Sequence, residues 1–251
     1  AYMSSILKKR DRLAPVRLEM QGTKSSLAEL LASRLGLSES QIFYSNCPLK
    51  TNYIFGLNGF DKSLYYDEFT PAYPSYLAEN RSLISQIQAK DVLLFYPYHT
   101  MQTFIDLLKE AAVNPNVVSI KMTIYRLASN SAVAKSLCKA AENGKEVTVL
   151  VELRARFDEK NNIEWAKQLE EAGCNVIYGI ENFKCHSKIC LITMKNKNSY
   201  SYITQIGTGN YNEKTSSMYT DFSLMTANRE IAADAALFFK NMLIGELYSN
   251  Y

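Results

Sequence analysis

Apolar residues follow a regular alternation of patterns from about residue 90 onward. Short apolar runs predict buried strands, and between them apolar residues recur at the three- to four-residue spacing of a helix. The predicted strands are 91–97, 117–126, 146–154 and 175–180. The predicted helices are 99–113, 131–144 and 161–173, the last with Asn161 as its N-cap. This alternation predicts right-handed βαβ units and a largely parallel sheet.

The pattern changes after residue 180. The segments 187–195 and 200–208 are joined by the polar turn KNKN and predict a hairpin. Another strand is predicted over 221–227, and a closing helix over 230–247. The predicted fold class is therefore α/β, with a mixed β-sheet flanked by helices.

Residues 1–80 show weaker periodicity. A strand over 15–22 and a helix over 25–37 are followed by a stretch rich in Tyr, Phe and Pro. This segment predicts a partial α+β unit. We place the domain boundary near residue 80, which gives the domains 1–80 and 81–251.

Net charge, apolar runs and cysteine spacing limit the classes of protein that this chain could belong to. The formal net charge is +3, from 28 Lys and Arg against 25 Asp and Glu, which is too mild to predict nucleic-acid binding. No apolar run approaches the roughly 20 residues that span a bilayer. The five cysteines form no CxxC pair and predict reduced thiols in the cytoplasm. The chain does not begin with Met, which suggests a piece of a longer protein.

Two lysines flank a histidine at two-residue spacing in FKCHSK (183–188). In an extended chain Lys184, His186 and Lys188 project to one face. Two ammonium groups beside an imidazole lower its pKa, and a neutral imidazole is a competent nucleophile at neutral pH. The alternative is a strand histidine between two solvated lysines, because the three-residue pattern is common by chance.

Two arginines follow the ends of neighbouring predicted strands. Arg126 ends IYR, and Arg156 lies in ELRARFDE after the next strand. Ligands of open α/β sheets bind at the carboxyl ends of the strands, and guanidinium groups bind phosphate in bidentate fashion. These arginines, together with Lys184, are therefore candidate phosphate-binding residues. The alternative is a pair of surface arginines near a helix start.

A glycine-rich segment follows the second hairpin strand. GTGN (207–210) permits close backbone approach, and Asn210 offers an amide donor. The HxK of His186 and Lys188 followed by such a segment resembles the half-site of the phospholipase D-like superfamily. That superfamily usually has Asp five residues after the lysine, where this chain has Thr193. The departure argues against an ordinary phosphodiesterase of that group.

Several longer motifs occur in a fixed order. IYR, ELRARFDE with NNIEWA, FKCHSK, and GTGNYNEKT with MYTD together resemble bacterial polyphosphate kinase, an enzyme that elongates inorganic polyphosphate from ATP. The resemblance is strongest over 91–227. The segments PVRLEM and SNCPLKTNYIFGL resemble the rear of the helical head domain of that family.

The resemblance implies roles for particular residues. It implies that His186 is the phosphohistidine, that Arg126 and Arg156 lie beside magnesium, and that Tyr219 of MYTD contacts the nucleotide. A guanidinium is a poor metal ligand, so we interpret both arginines as phosphate clamps, with Mg²⁺ bridged through phosphate oxygens or water. Without the resemblance, the sequence is equally consistent with Tyr219 being a core tyrosine at a strand edge.

The candidate catalytic set is His186, Lys188 and Asn210. Many members of the family carry a second histidine where this chain has Gln205, so any proton transfer at that position is expected to be lost. The resemblance implies a reversible phosphoryl transfer from ATP to polyphosphate through phosphohistidine.

The resemblance also implies partners and a larger enzyme. It covers the rear of the head domain and the first of two related phospholipase D-like domains, so the second half-site is expected to be missing and the fragment inactive alone. The implied partners are ATP or ADP, inorganic polyphosphate, the missing domains of the same enzyme, and further copies in a homo-oligomer. No nucleic acid is expected. The expected location is cytoplasmic, with peripheral association at the inner membrane left open.

Two other functions remain open from the sequence. One is a phospholipase D-like phosphodiesterase or nuclease, against which Thr193 and the ELRARFDE segment weigh. The other is a non-catalytic module that binds polyphosphate through Lys184, Lys188 and the arginines. Such binding would weaken with salt and survive His186→Ala, whereas a phosphohistidine mechanism would not.

Overall fold

The computed structural model describes residues 2–10, 12–57, 59, 61–67, 69–78, 80–153, 155, 158–180 and 183–247. The chain divides into two compact units, residues 1–69 and 70–251. The assignment of residues 1–80 and 81–251 to two functional domains stays a prediction.

The first unit is a small α+β arrangement. Its elements are α1 (Tyr2–Arg10), β1 (Leu18–Gln21), α2 (Ser26–Leu35) and β2 (Ile42–Ser45), with short 3₁₀ helices at Glu39–Gln41, Asn52–Gly56 and Lys62–Leu64. Strands β1 and β2 are parallel neighbours connected through α2. The side chain of Ser25 caps α2, and Gly36 ends it in the left-handed conformation at φ 68°.

The second unit contains a seven-stranded sheet among the described residues, in the order β3-β9-β8-β7-β4-β5-β6. The strands are β3 (Val92–Tyr96), β4 (Val117–Ile124), β5 (Glu146–Val151), β6 (Asn175–Ile177), β7 (Ile189–Asn196), β8 (Ser199–Gly207) and β9 (Asp221–Thr226). The helices are α3 (Leu83–Ala89), α4 (Gln102–Val113), α5 (Ala132–Glu142), α6 (Glu159–Glu171), α7 (Glu213–Ser216) and α8 (Arg229–Ile244).

Helices cover both faces of this sheet. Apolar residues of α3, α4, α5 and α6 share one large core with alternate strand residues, among them Val147, Val149 and Val151 of β5. On the opposite face, Leu191 of β7 packs with Ala235 and Phe239 of α8. The predicted mixed sheet flanked by helices is confirmed.

Two sequence-based expectations are wrong in detail. Within the described part of the seven-stranded sheet, only the pairs β4–β5 and β5–β6 are parallel, because the strands β7, β8 and β9 lie between β3 and β4. Helix α6 begins at Glu159 after Asp158, not after Asn161. The side chain of Asn161 instead donates to the carbonyl of Leu127, at 2.9 Å.

The strand ends that carry the candidate chemistry meet at one end of the sheet. Strands β4 and β5 finish there, and β7 begins there because it runs antiparallel to β4. The end of β8, the start of β9 and the end of β3 follow by antiparallel pairing. The segments that carry the candidate chemistry therefore collect at this end of the second unit.

Among the described helices, none combines the length and the apolar character that crossing a bilayer requires.

Candidate active site

The segment 184–188, here called the nucleophile segment, lies just before β7 and has no regular secondary structure. The His186 side chain is exposed, and its ring meets the ring of Tyr125 edge-on, with centroids 4.4 Å apart and planes at 84°. Tyr125 comes directly after β4. The ring of His186 is therefore oriented by an aromatic neighbour while it remains open to a ligand.

The pKa of His186 is lowered. Partial burial is the first cause, followed by the positive charges of Lys188, Arg126 and Lys184. The predicted direction is confirmed, although burial outweighs the lysines and Arg126 also contributes. The structure thus places three cations around an imidazole that stays neutral at a lower pH than an ordinary histidine.

The two lysines of the segment are not equivalent. Lys184 is exposed, whereas Lys188 is 5% exposed and its ammonium group donates to the carbonyl of His186. Burial lowers the pKa of Lys188, and the charges of Cys185 and Asp221 oppose that effect. The ammonium nitrogen also lies 5.6 Å from the centroid of the Tyr125 ring. Lys188 is thus held within its own segment, whereas Lys184 is open to solvent, and the proposed roles of both lysines stay predictions.

Arg126 is fixed by an ion pair. Its Nε lies 3.0 Å from Oδ2 of Asp158, just before α6, and its Cζ lies 5.6 Å from the centroid of the Tyr125 ring. Arg126 is also among the cations that lower the pKa of His186, so its charge acts on that ring. Arg156, the other predicted phosphate clamp, lies outside the described residues.

The glycine-rich segment holds an acidic group close to the site. Oγ1 of Thr208 donates to Oδ1 of Asp221 at 2.8 Å. A Cβ added at Gly209 would lie 2.4 Å from Oδ2 of Asp221, so only glycine allows this approach. Asp221 also acts electrostatically on Lys188. The GTGN segment therefore packs against the start of β9, and its Gly207 N–H donates to the carbonyl of Lys188 in the nucleophile segment at 2.9 Å.

The remaining candidates, Asn210 and Tyr219, make no direct bond to His186 in the described part of the chain. Oδ1 of Asn210 is buried and has no hydrogen-bond partner within the described part of the chain. Tyr219 is 61% exposed, in the loop between α7 and β9. In the described residues its hydroxyl makes no hydrogen bond. Tyr219 is thus open to a ligand, whereas the Oδ1 of Asn210 is buried, and the roles of both residues stay predictions.

Gln205 belongs to the interior. It is 3% exposed, its Nε2 donates to Oγ of Ser223 at 2.9 Å, and its Oε1 accepts from the hydroxyl of Tyr211. Both functions of the amide are therefore used within the core. This placement agrees with the expectation that Gln205 takes no part in proton transfer.

Sequence reasoning missed three residues at this end of the sheet. Tyr125, Glu152 and Asp221 all occur in motifs that were recognised, IYR, ELRARFDE and MYTD, but no role was given to them. Their position at strand ends was the available signal. Their contacts with the nucleophile segment depend on strand order, which the local pattern does not contain.

The described residues do not offer a direct site for a metal ion. No group of three His, Cys, Asp or Glu side chains within the described ranges is arranged to hold one. The side chains that lower the pKa of His186 are cations, which do not fit as ligands of Mg²⁺. The predicted magnesium is therefore not assigned to protein ligands.

Comparison with known proteins agrees with these motifs. The family model described as polyphosphate kinase C-terminal domain 1 matches residues 82–246. Polyphosphate kinase of Staphylococcus epidermidis is 41% identical over 245 residues, which is 95% of this chain and 33% of that protein. The enzyme of Exiguobacterium sibiricum is 44% identical over 246 residues, or 95% of this chain and 34% of that protein.

A solved structure agrees as well. The crystal structure of polyphosphate kinase from Porphyromonas gingivalis matches with a TM-score of 0.78 at 31% identity, over 94% of this chain and 36% of that one. The chain spans about a third of the length of the curated relatives it matches. The match over 82–246 confirms the resemblance seen in the motifs, and this chain belongs to the polyphosphate kinase family.

Proposed function

We propose that this chain carries the phosphohistidine half-site of a polyphosphate kinase, which transfers the terminal phosphate of ATP reversibly to inorganic polyphosphate. The single observation that supports this most is the exposed His186 ring among Lys188, Arg126 and Lys184, which lower its pKa. A neutral, accessible imidazole within a positive field suits attack on a polyanionic phosphate.

In the first step a ring nitrogen of His186 forms a bond to the γ-phosphorus of ATP. The bond from that phosphorus to the β–γ bridging oxygen breaks, and ADP leaves with the electron pair. In the second step a terminal oxygen of polyphosphate attacks the phosphorus, and the N–P bond breaks. Both steps are reversible, so the same site would also make ATP from polyphosphate.

The cations have separate tasks in this scheme. Arg126, held by Asp158, and the exposed Lys184 would bind phosphate oxygens. Lys188 adds a fixed charge behind the nucleophile, since its ammonium group binds the carbonyl of His186. Positioning and electrostatic stabilisation provide most of the catalysis in phosphoryl transfer. Tyr219 and Asn210 are proposed to contact the nucleotide and the phosphate.

In this proposal Mg²⁺ is bound by the substrate and not by protein ligands. Mg²⁺ commonly binds through substrate phosphates and water, and the charge it brings neutralises phosphate oxygens. The same proposal includes two kinds of partner beyond ATP and polyphosphate: further domains of the enzyme and further copies of the chain. It also includes a cytoplasmic location.

Exchange of label between ADP and ATP tests the first step without an acceptor. The protein from the complete reading frame that contains this chain should catalyse the exchange, and His186→Ala should reduce it by about a thousandfold or more. His99→Gln is the matched control at the other histidine and should leave the exchange in place. Nδ1 of His99 accepts a hydrogen bond from the backbone N–H of Phe95 in β3. Exchange that survives His186→Ala would refute the phosphohistidine mechanism.

A further inference from the structure

The backbone of the nucleophile segment leaves the ladder of β4. The pairing of β4 with β7 ends at Met122 and Cys190, and no Cα pairs follow it. Beyond that point the Tyr125 ring packs edge-on against His186. Pairing with β4 therefore does not fix residues 184–188, and the end of β8 reaches them through one backbone bond, from the N–H of Gly207 to the carbonyl of Lys188 at 2.9 Å. Phosphoryl transfer nevertheless requires a fixed nucleophile.

On the carboxyl side of the segment, one hydroxyl replaces the missing ladder bonds to β4. Oγ1 of Thr123 donates to the carbonyl of Ser187 at 2.7 Å and accepts from the backbone N–H of Ile189 at 3.1 Å. Thr123 lies in β4 and is 1% exposed. The hydroxyl is thus bonded to the residues on both sides of Lys188.

On the amino side, a buried carboxylate makes the corresponding contact. Oε2 of Glu152 accepts from the backbone N–H of Cys185 at 3.0 Å, and Glu152 is 5% exposed. Glu152 directly follows β5, and its own N–H donates to the carbonyl of Ile124 at 2.9 Å. Nδ2 of Asn162 donates to the Glu152 carbonyl, also at 2.9 Å. The backbone of Glu152 is therefore held by hydrogen bonds to β4 and α6, which fix the position of its carboxylate.

We propose that Thr123 and Glu152 are positioning residues that hold the nucleophile segment from both sides, so that His186 is presented to the phosphorus in one orientation. This inference rests on the proposed role of His186. Neither residue touches the substrate in this scheme. Glu152 acts through the backbone N–H of Cys185, and Thr123 acts through the backbone of Ser187 and Ile189.

Two matched pairs of variants separate this role from a general loss of stability. Thr123→Val keeps the shape and removes the hydroxyl, whereas Thr123→Ser keeps the hydroxyl. Glu152→Ala removes the acceptor, whereas Glu152→Gln keeps an acceptor oxygen at the same reach. Every variant is made in the protein from the complete reading frame.

Amide hydrogen exchange measures the proposed hold without any substrate. Thr123→Val should speed exchange at Ile189, and Glu152→Ala at Cys185, by about tenfold or more, because the acceptor is lost. The amide of Val149 in the middle of β5 should keep its protection in each variant. The Ser and Gln variants should stay within about threefold of the unmodified protein.

The rate of His186 phosphorylation by ATP in a single turnover measures the consequence. It should fall by about tenfold or more in the Val and Ala variants, with the concentration of ATP at half-maximal rate changed less than about threefold. The Ser and Gln variants should recover most of the rate.

Each outcome decides between the claims. Unchanged exchange at Cys185 and Ile189, or faster exchange with an unchanged phosphorylation rate, would overturn the positioning role. If Thr123→Val does not fold, the Glu152 pair decides. If the unmodified protein forms no phosphate on His186, the proposed function is wrong. In that case amide exchange still shows whether the two side chains hold the segment.

Discussion

At the scale of single residues, the reactivity proposed for His186 depends on its charge state. Partial burial and three neighbouring cations lower its pKa below the ordinary value of about 6.5. The neutral nucleophile therefore persists as the pH falls through the range in which an exposed histidine becomes protonated. The rate of phosphorylation should decline only below that range.

Removal of one cation should shift this decline. Lys184 is exposed and its charge lowers the pKa of His186, so Lys184→Gln should raise that pKa. More of the imidazole is then protonated at a given acidic pH, and the acid limb of the phosphorylation rate moves to higher pH. The measurement is the single-turnover rate across pH 5 to 8.

Lys167→Gln is the control for that shift. Lys167 is an exposed lysine of α6 and does not contribute to the pKa of His186. Its removal should leave the acid limb in place. An acid limb that does not move with Lys184→Gln would show that the field of the lysine does not control the nucleophile.

At this scale the sequence predicted the effect of charge on the pKa of His186 but not the contacts that Lys188 makes. The spacing of Lys184, His186 and Lys188 indicated a lowered pKa, which the structure confirms. The pattern treated the two lysines alike, whereas Lys188 is buried against the backbone of its own segment. The aromatic ring nearest to that ammonium group, Tyr125, follows β4 and is distant in sequence, so the local pattern does not reveal it.

At the scale of elements, α6 fixes the ends of two strands. Asn162 is fully buried, and its Nδ2 donates to the carbonyls of Tyr125 and Glu152, each at 2.9 Å. Nε1 of Trp165 donates to the carbonyl of Ala128 at 2.9 Å. The NNIEW stretch of α6 therefore supports the loop that carries Tyr125 and Arg126.

Loss of this support should cost stability. Asn162→Ala leaves two carbonyls, one buried and one partly buried, without this donor, so we expect the free energy of unfolding to fall by about 2–4 kcal/mol. Asn161→Ala is the matched control, because it removes one bond at a partly exposed position and should cost about 1 kcal/mol. Denaturant unfolding compares the two. Equal costs would contradict the bridging role of Asn162.

Element types followed from sequence more readily than their arrangement. The hairpin β7–β8, the closing helix α8 and the glycine ends of α5 and α6 were all predicted, because each signal is local. The N-cap of α6 was misplaced since Asn161 and Asn162 bond to a distant loop instead of capping the helix. The place of β3 beside β9 was not predictable from local pattern, because it depends on pairing across more than a hundred residues.

At the scale of the whole molecule, the sheet brings separate motifs to one end. The parallel pair β4–β5 supplies Arg126 and Glu152, and the antiparallel strands β7, β8 and β9 bring His186, Asn210 and Asp221 to the same end. The order of these motifs in the sequence, more than any one of them, indicated the family, and the match over residues 82–246 confirms it. The chemistry at His186 is the claim on which the proposed function depends.

The most direct test is to locate the phosphate after a brief incubation of the protein from the complete reading frame with ATP and Mg²⁺. Mass spectrometry at neutral to alkaline pH should find one phosphate on the peptide that contains His186, and brief acid treatment should remove it. The account predicts that this phosphate transfers to added ADP or polyphosphate. Polyphosphate formation with no phosphate on His186, or with an acid-stable phosphate elsewhere, would contradict it.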